Sequence, residues 1–214
     1  MNNLFPQYTT DYISGVMSLR KPQENSLRIL EEIMTSIHVQ KGMNLKAALG
    51  GVHALYPICS DFERDFMSLT FALATGVGKT RLMGAFISYL YTQHGIKNFF
   101  VVAPNTTIYE KLKKDLSDPS NPKYVFKGLD LFVDPPRIID GDNYNEFRQG
   151  TFGVNDVVIN VFNISKLNSD SKVKDGAPAG TYPITVDTTY SHCQIYAYSW
   201  TRVIIITLIR VLML

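Results

Sequence analysis

The chain has 214 residues, 45% of them apolar and 19% charged, enough to build one globular α/β domain, or one with a small appendage. A net charge of +2 leaves no global electrostatic reason to bind nucleic acid. Cys59 and Cys193 lie far apart without metal-ligand spacing, so a reduced cytoplasmic setting is the simplest expectation.

The N-terminus lacks a basic region followed by an apolar one and does not read as a secretory signal. Residues 1–60 read as a helical segment. In residues 21–37, Pro22 sits near a helix start, and Leu27, Leu30, Met34 and Ile37 recur at helical spacing. A second helix is expected over 44–55, weakened by Gly50 and Gly51. Residues 61–172 then alternate between strand and helix. "FMSLTFALA" (66–74) is β-like, and 79–93 is helical with Leu82, Phe86 and Leu90 on one stripe, which reads as core. "NFFVVAP" (98–104) reads as a buried strand, 106–116 as a helix and 156–162 as a third strand. Residues 115–123 and 131–147 read as loops, the latter with a short strand. This order predicts an α/β fold, a parallel sheet with crossover helices.

Between the first strand-like run and its helix stands "ATGVGKT" (74–80). The strict phosphate-loop pattern asks for a glycine where Leu73 stands. Even so, Gly76 and Gly78 allow a tight turn that brings backbone N–H groups near phosphate oxygens, and the following helix adds its positive end. Lys79 can then meet the β- and γ-phosphates, and the Thr80 hydroxyl can sit on Mg²⁺. The plain alternative is a glycine-rich turn with an accidental Lys-Thr. The basic runs 110–116 and 171–174 read most simply as solvated helix faces.

"ATGVGKT" resembles motif I of the superfamily 2 (DEAD/DEAH-like) helicases and translocases. "LRKPQENSL" (19–27) resembles the upstream element whose glutamine reads adenine, which falls on Gln23. "FFVVAPNTTIYEKL" (99–112) resembles motif Ia, in which Pro104, Asn105 and Thr106 would touch the nucleic-acid backbone. The wording of "VVAPNTTI" and "VINVFNISKLNSDSK" (158–172) looks most like the Res subunit of type III restriction enzymes. That resemblance implies an incomplete P-loop (RecA-like) parallel sheet, with ATP and Mg²⁺ as cofactors held by Thr75, Gly76, Val77, Gly78, Lys79 and Thr80. It also implies double-stranded DNA and a Mod-type methyltransferase subunit as partners.

The family also needs an Asp-Glu pair at the end of a further strand, a second ATPase lobe and nuclease carboxylates. No Asp-Glu-x-His or Asp-Glu-x-Asp occurs in the sequence, so the chain is expected to be a catalytically deficient N-terminal fragment. From about residue 173 the composition changes. Read from the third base of each codon, His192-Cys193 must give Leu and Trp200-Thr201 must give Asp. Thr201-Arg202 can give Glu and Val203-Ile204 can give His. Residues 192–204 are thus compatible with the missing motif in a shifted reading frame. Under that reading, the tail 173–214 was not selected to pack and should be poorly ordered. The rival reading is a self-standing nucleotide-binding or interaction module docking through "VIIITLIRVLML" (203–214). This run carries Arg210 and falls short of the roughly 20 residues of a membrane helix. A kinase-type P-loop enzyme is a third reading, disfavoured by Gln23 and "VVAPNTT".

Overall fold

A computed structural model describes residues 5–37, 39, 43–63, 66–140 and 157–163, together with the backbone of 203–207. Among these residues the elements are α1 (Thr10–Val16), α2 (Lys21–Ser36), α3 (Leu45–Leu55), α4 (Lys79–His94), β1 (Asn98–Ala103), α5 (Thr106–Ser117), β2 (Arg137–Ile139), β3 (Val158–Asn163) and β4 (Val203–Thr207). A single 3₁₀ turn at Asp130–Phe132 precedes β2.

Local chemistry explains the helix starts. The Thr9 side chain accepts from Tyr12 N–H at 3.2 Å, Asn44 from Ala47 N–H at 3.1 Å, and Asn105 from Ile108 N–H at 2.9 Å. Pro22 lies in the first turn of α2, where its missing N–H costs nothing. The stripe expected for α2 is the buried one: Leu27, Leu30, Met34 and Ile37 are all in the core.

The described strands form one parallel sheet in the order β2-β3-β1-β4. In register, Phe99 faces Ile159 and Val101 faces Val161, and all four are fully buried. Phe100 and Phe162 stack with centroids 5.5 Å apart. Helix α5 crosses over and packs on β1, β2 and β3. Its basic run is tied within the chain: Lys113 meets buried Asp140 at 2.5 Å, and Lys111 lies 3.7 Å from Asp115.

Helix α4 is more central than its Leu82, Phe86 and Leu90 stripe suggests. Tyr89, Tyr91, Ser88 and Thr92 are buried as well, because α1 and α2 cover a second face. The two buried hydroxyls bond back to the helix, Ser88 to the Gly84 carbonyl and Thr92 to the Ser88 carbonyl, each at 2.7 Å. Phe71 meets Phe86 edge-to-face at 4.9 Å. Burying Phe86 contributes about 2–3 kcal/mol, and the ring pair adds about 1 kcal/mol.

One expectation needs correction. Residues 67–74 do not form a strand. Their burial alternates as a strand's would, with Met67, Leu69 and Leu73 inside and Thr70, Ala72 and Ala74 exposed. A strand also needs a neighbour to bond its backbone, and among the described residues both sides of β1 are taken by β3 and β4. Five residues of the tail, Val203–Thr207, form a strand parallel to β1. The rest of the tail, including most of the frame-shift reading at 192–204, lies outside the described residues. So do residues 171–174 and the second half of 131–147.

Candidate functional site

The loop 74–80 links the extended segment to α4. Gly76 and Gly78 adopt φ of 82° and 93°, the left-handed region that glycine enters without strain. At Gly78 space is also decisive, since a Cβ there would lie 2.7 Å from Gln23 Nε2. Gly78 is the N-cap of α4 and provides no side-chain acceptor, so the helix start is open. Among the described residues, the N–H groups of Gly76, Gly78, Lys79 and Thr80 have no hydrogen-bond acceptor within the chain. These unpaired donors, a helix N-terminus and a lysine therefore share one loop. That combination suits an anion with several oxygens.

The Lys79 ammonium donates to the Ala74 carbonyl at 2.9 Å, so it lies against the loop it would serve. The Thr80 side chain is half-buried in the first turn of α4, and Thr75 is exposed. Val77 packs partly against the core. Its side chain anchors the turn between the two glycines.

Gln23 is brought to this loop across the fold. It is 2% exposed. Its Oε1 accepts from Arg20 N–H at 2.7 Å, and its Nε2 donates to the Gly78 carbonyl at 2.8 Å. Arg20 and Arg81 also take part, and neither was singled out from the sequence. Arg20 Nη1 donates to the Gly76 carbonyl at 3.2 Å, and Arg81 Nε donates to the Met17 carbonyl at 2.5 Å. Burial lowers the Arg81 pKa from its ordinary value. An arginine just after the lysine and threonine was the only signal for it, and that signal is weak.

Pro104, Asn105 and Thr106 form a second cluster. All three are exposed where β1 ends and α5 begins. Asn105 is the N-cap of α5, and Thr106 Oγ1 accepts from Asn163 Nδ2 at 3.0 Å. Asn163 ends β3 and faces Ala103 in register. It too was not singled out; a polar residue closing the apolar run "VINVF" was the available signal. No hydrogen bond joins this cluster to the loop 74–80 among the described residues.

The donor set of loop 74–80 fits a nucleotide's phosphates. For Mg²⁺, the chain offers the Thr80 hydroxyl. No group of three or more His, Cys, Asp or Glu that could hold a metal exists among the described residues.

A family model described as "Type III restriction enzyme, res subunit" matches residues 16–194, a span that includes both clusters. The matched span runs past the composition change near residue 173. A curated protein of Haemophilus influenzae (strain ATCC 51907 / DSM 11121 / KW20 / Rd), the "Probable type III restriction-modification enzyme HindVIP Res subunit", is 30% identical over 113 residues. These make up 51% of this chain and 20% of that protein, so the similarity spans about a fifth of the relative's length. No solved structure matches.

Proposed function

The chain belongs to the family of the type III restriction enzyme Res subunit, and from that premise we propose that it binds ATP through loop 74–80 and duplex DNA through the end of β1. The single observation that carries the nucleotide reading is the set of unpaired N–H groups on Gly76, Gly78, Lys79 and Thr80 at an open helix start. Phosphate oxygens supply the acceptors these donors lack. Lys79 adds a positive charge that leaves the Ala74 carbonyl for a phosphate oxygen. Thr80 offers its hydroxyl to Mg²⁺, which when bound screens the phosphate charge.

Pro104, Asn105 and Thr106 lie exposed at the start of α5, where backbone N–H groups and short polar side chains suit a DNA phosphate. Contacts of that kind position a protein on duplex DNA without reading its sequence. A Mod-type methyltransferase partner and a cytoplasmic setting belong to the same reading. Among the described residues, no helix is long and apolar enough to cross a membrane.

Binding is not turnover. The sequence holds no Asp-Glu-x-His or Asp-Glu-x-Asp to complete the metal site and handle the attacking water. The 214-residue chain therefore binds ATP with negligible hydrolysis. Equilibrium titration with Mg·ATP tests the reading: saturable binding supports it, and a flat titration refutes it.

A further inference from the structure

Two carbonyls of the phosphate loop are held from outside by the first turn of α2. Gln23 Nε2 donates to the Gly78 carbonyl at 2.8 Å, and Arg20 Nη1 donates to the Gly76 carbonyl at 3.2 Å. The orientation of the Gln23 amide is itself fixed, because its Oε1 accepts from Arg20 N–H at 2.7 Å. That leaves Nε2 as the face turned to the loop. At 2% exposure, Gln23 is spent on these internal bonds.

These bonds control where the loop's donors point. A peptide unit is planar and trans, so its C=O and N–H point in opposite directions. Holding the Gly78 carbonyl toward α2 turns the Lys79 N–H away from α2. Holding the Gly76 carbonyl does the same for the Val77 N–H. The Gly78 carbonyl also accepts from Arg81 N–H at 3.0 Å and Leu82 N–H at 3.2 Å, so Gln23 braces the first turn of α4 at the same point. Gly78 is shaped to this contact, since any Cβ would collide with Gln23 Nε2.

We infer that Gln23 is a positioning residue of the phosphate loop, acting through the Gly78 carbonyl with Arg20 as a second handle on Gly76. It sets affinity for the polyphosphate rather than the choice of base. The inference rests on the proposed nucleotide function and departs from the adenine-reading role that the upstream element implies.

Titrations of the 214-residue chain with ATP, GTP and inorganic tripolyphosphate, each with Mg²⁺, separate the two roles. Gln23→Met keeps length and neutrality and removes both bonds. It should weaken all three ligands by the same factor, about tenfold, tripolyphosphate included. Arg20→Lys keeps the charge at an exposed site and loses the guanidinium reach; it should weaken all three by about threefold. Hydrogen exchange of the ligand-free Gln23→Met chain should accelerate at Arg81 and Leu82 N–H. A loss confined to ATP, with tripolyphosphate unchanged, makes Gln23 a base reader and overturns the inference. So do unchanged affinities in Gln23→Met. If that variant does not fold, Arg20→Lys carries the test, and wild-type affinities there overturn it. A wild-type chain that binds none of the three contradicts the proposed function itself, and the inference falls with it.

Discussion

Gly84 on α4 approaches Val125 so closely that a Cβ on the glycine would lie 2.1 Å from Val125 Cγ1 and 3.3 Å from the Val125 carbonyl oxygen. The segment after α5 rests on α4 at this point, so the helix that begins at loop 74–80 is held at its sixth residue. Gly84→Ala should cost about 1–3 kcal/mol through overpacking, against the usual helical preference for alanine. Gly50 in α3 has no heavy atom within 4 Å of a built Cβ, and Gly50→Ala should gain about 0.5–1 kcal/mol. Denaturant unfolding of the two variants checks the contrast; a neutral Gly84→Ala contradicts the close approach.

Asn105 combines an observed cap with a proposed DNA contact, and the two are separable. Its Oδ1 caps α5, and its exposed side chain stands where a DNA phosphate is proposed. Asp caps as well as Asn but repels phosphate. Asn105→Asp should leave thermal stability within about 0.5 kcal/mol of wild type and weaken duplex binding about fivefold at low salt. Equal DNA affinity in the two proteins would remove Asn105 from the interface.

His94 ends α4 with its ring against Tyr89 at 5.3 Å, and Nε2 lies 3.2 Å from the Tyr89 hydroxyl. Burial lowers the His94 pKa below its ordinary value. Tyr89 stays neutral, its pKa pushed up to about 12 by burial first and by Glu31 second. A base with a depressed native pKa favours the folded state while it is neutral. Its contribution is complete above the unfolded value of roughly 6.5 and is lost as pH falls from there toward the native pKa. The Tm advantage of wild type over His94→Gln should therefore shrink between pH 7.5 and pH 5.5. A constant difference across that range contradicts the assignment.

The legible parts of the fold are those set by local chemistry. The Leu27, Leu30, Met34 and Ile37 stripe and the run "NFFVVA" carry their own periodicity, and α2 and β1 follow from it. Within the helical segment 1–60, α1 carries no assignment of its own: it is short, and its signals are one capping Thr9 and one early Asp11 rather than a stripe. The alternation of Met67, Leu69 and Leu73 coincides with the side that is buried. It cannot predict a ladder, which depends on residues far away in sequence. The same limit applies at the site. "ATGVGKT" marks its own loop, whereas Gln23 and Gly78 stand 55 residues apart and only the fold aligns an amide with a carbonyl. Arg20, Arg81 and Asn163 escaped notice for the same reason: each acts on backbone or side chains that local sequence does not place beside it.

The most direct test compares Mg·ATP binding by the wild-type chain and Lys79→Ala, by calorimetric titration at equal protein concentration. Among the described residues the Lys79 ammonium donates to the Ala74 carbonyl alone, so its removal should leave the fold and Tm intact. Wild type should bind saturably at one site, and Lys79→Ala should bind roughly tenfold or more weakly through loss of a charge-assisted contact. Equal affinity in the two proteins, or no binding by wild type, would contradict the assignment of loop 74–80 as the nucleotide site.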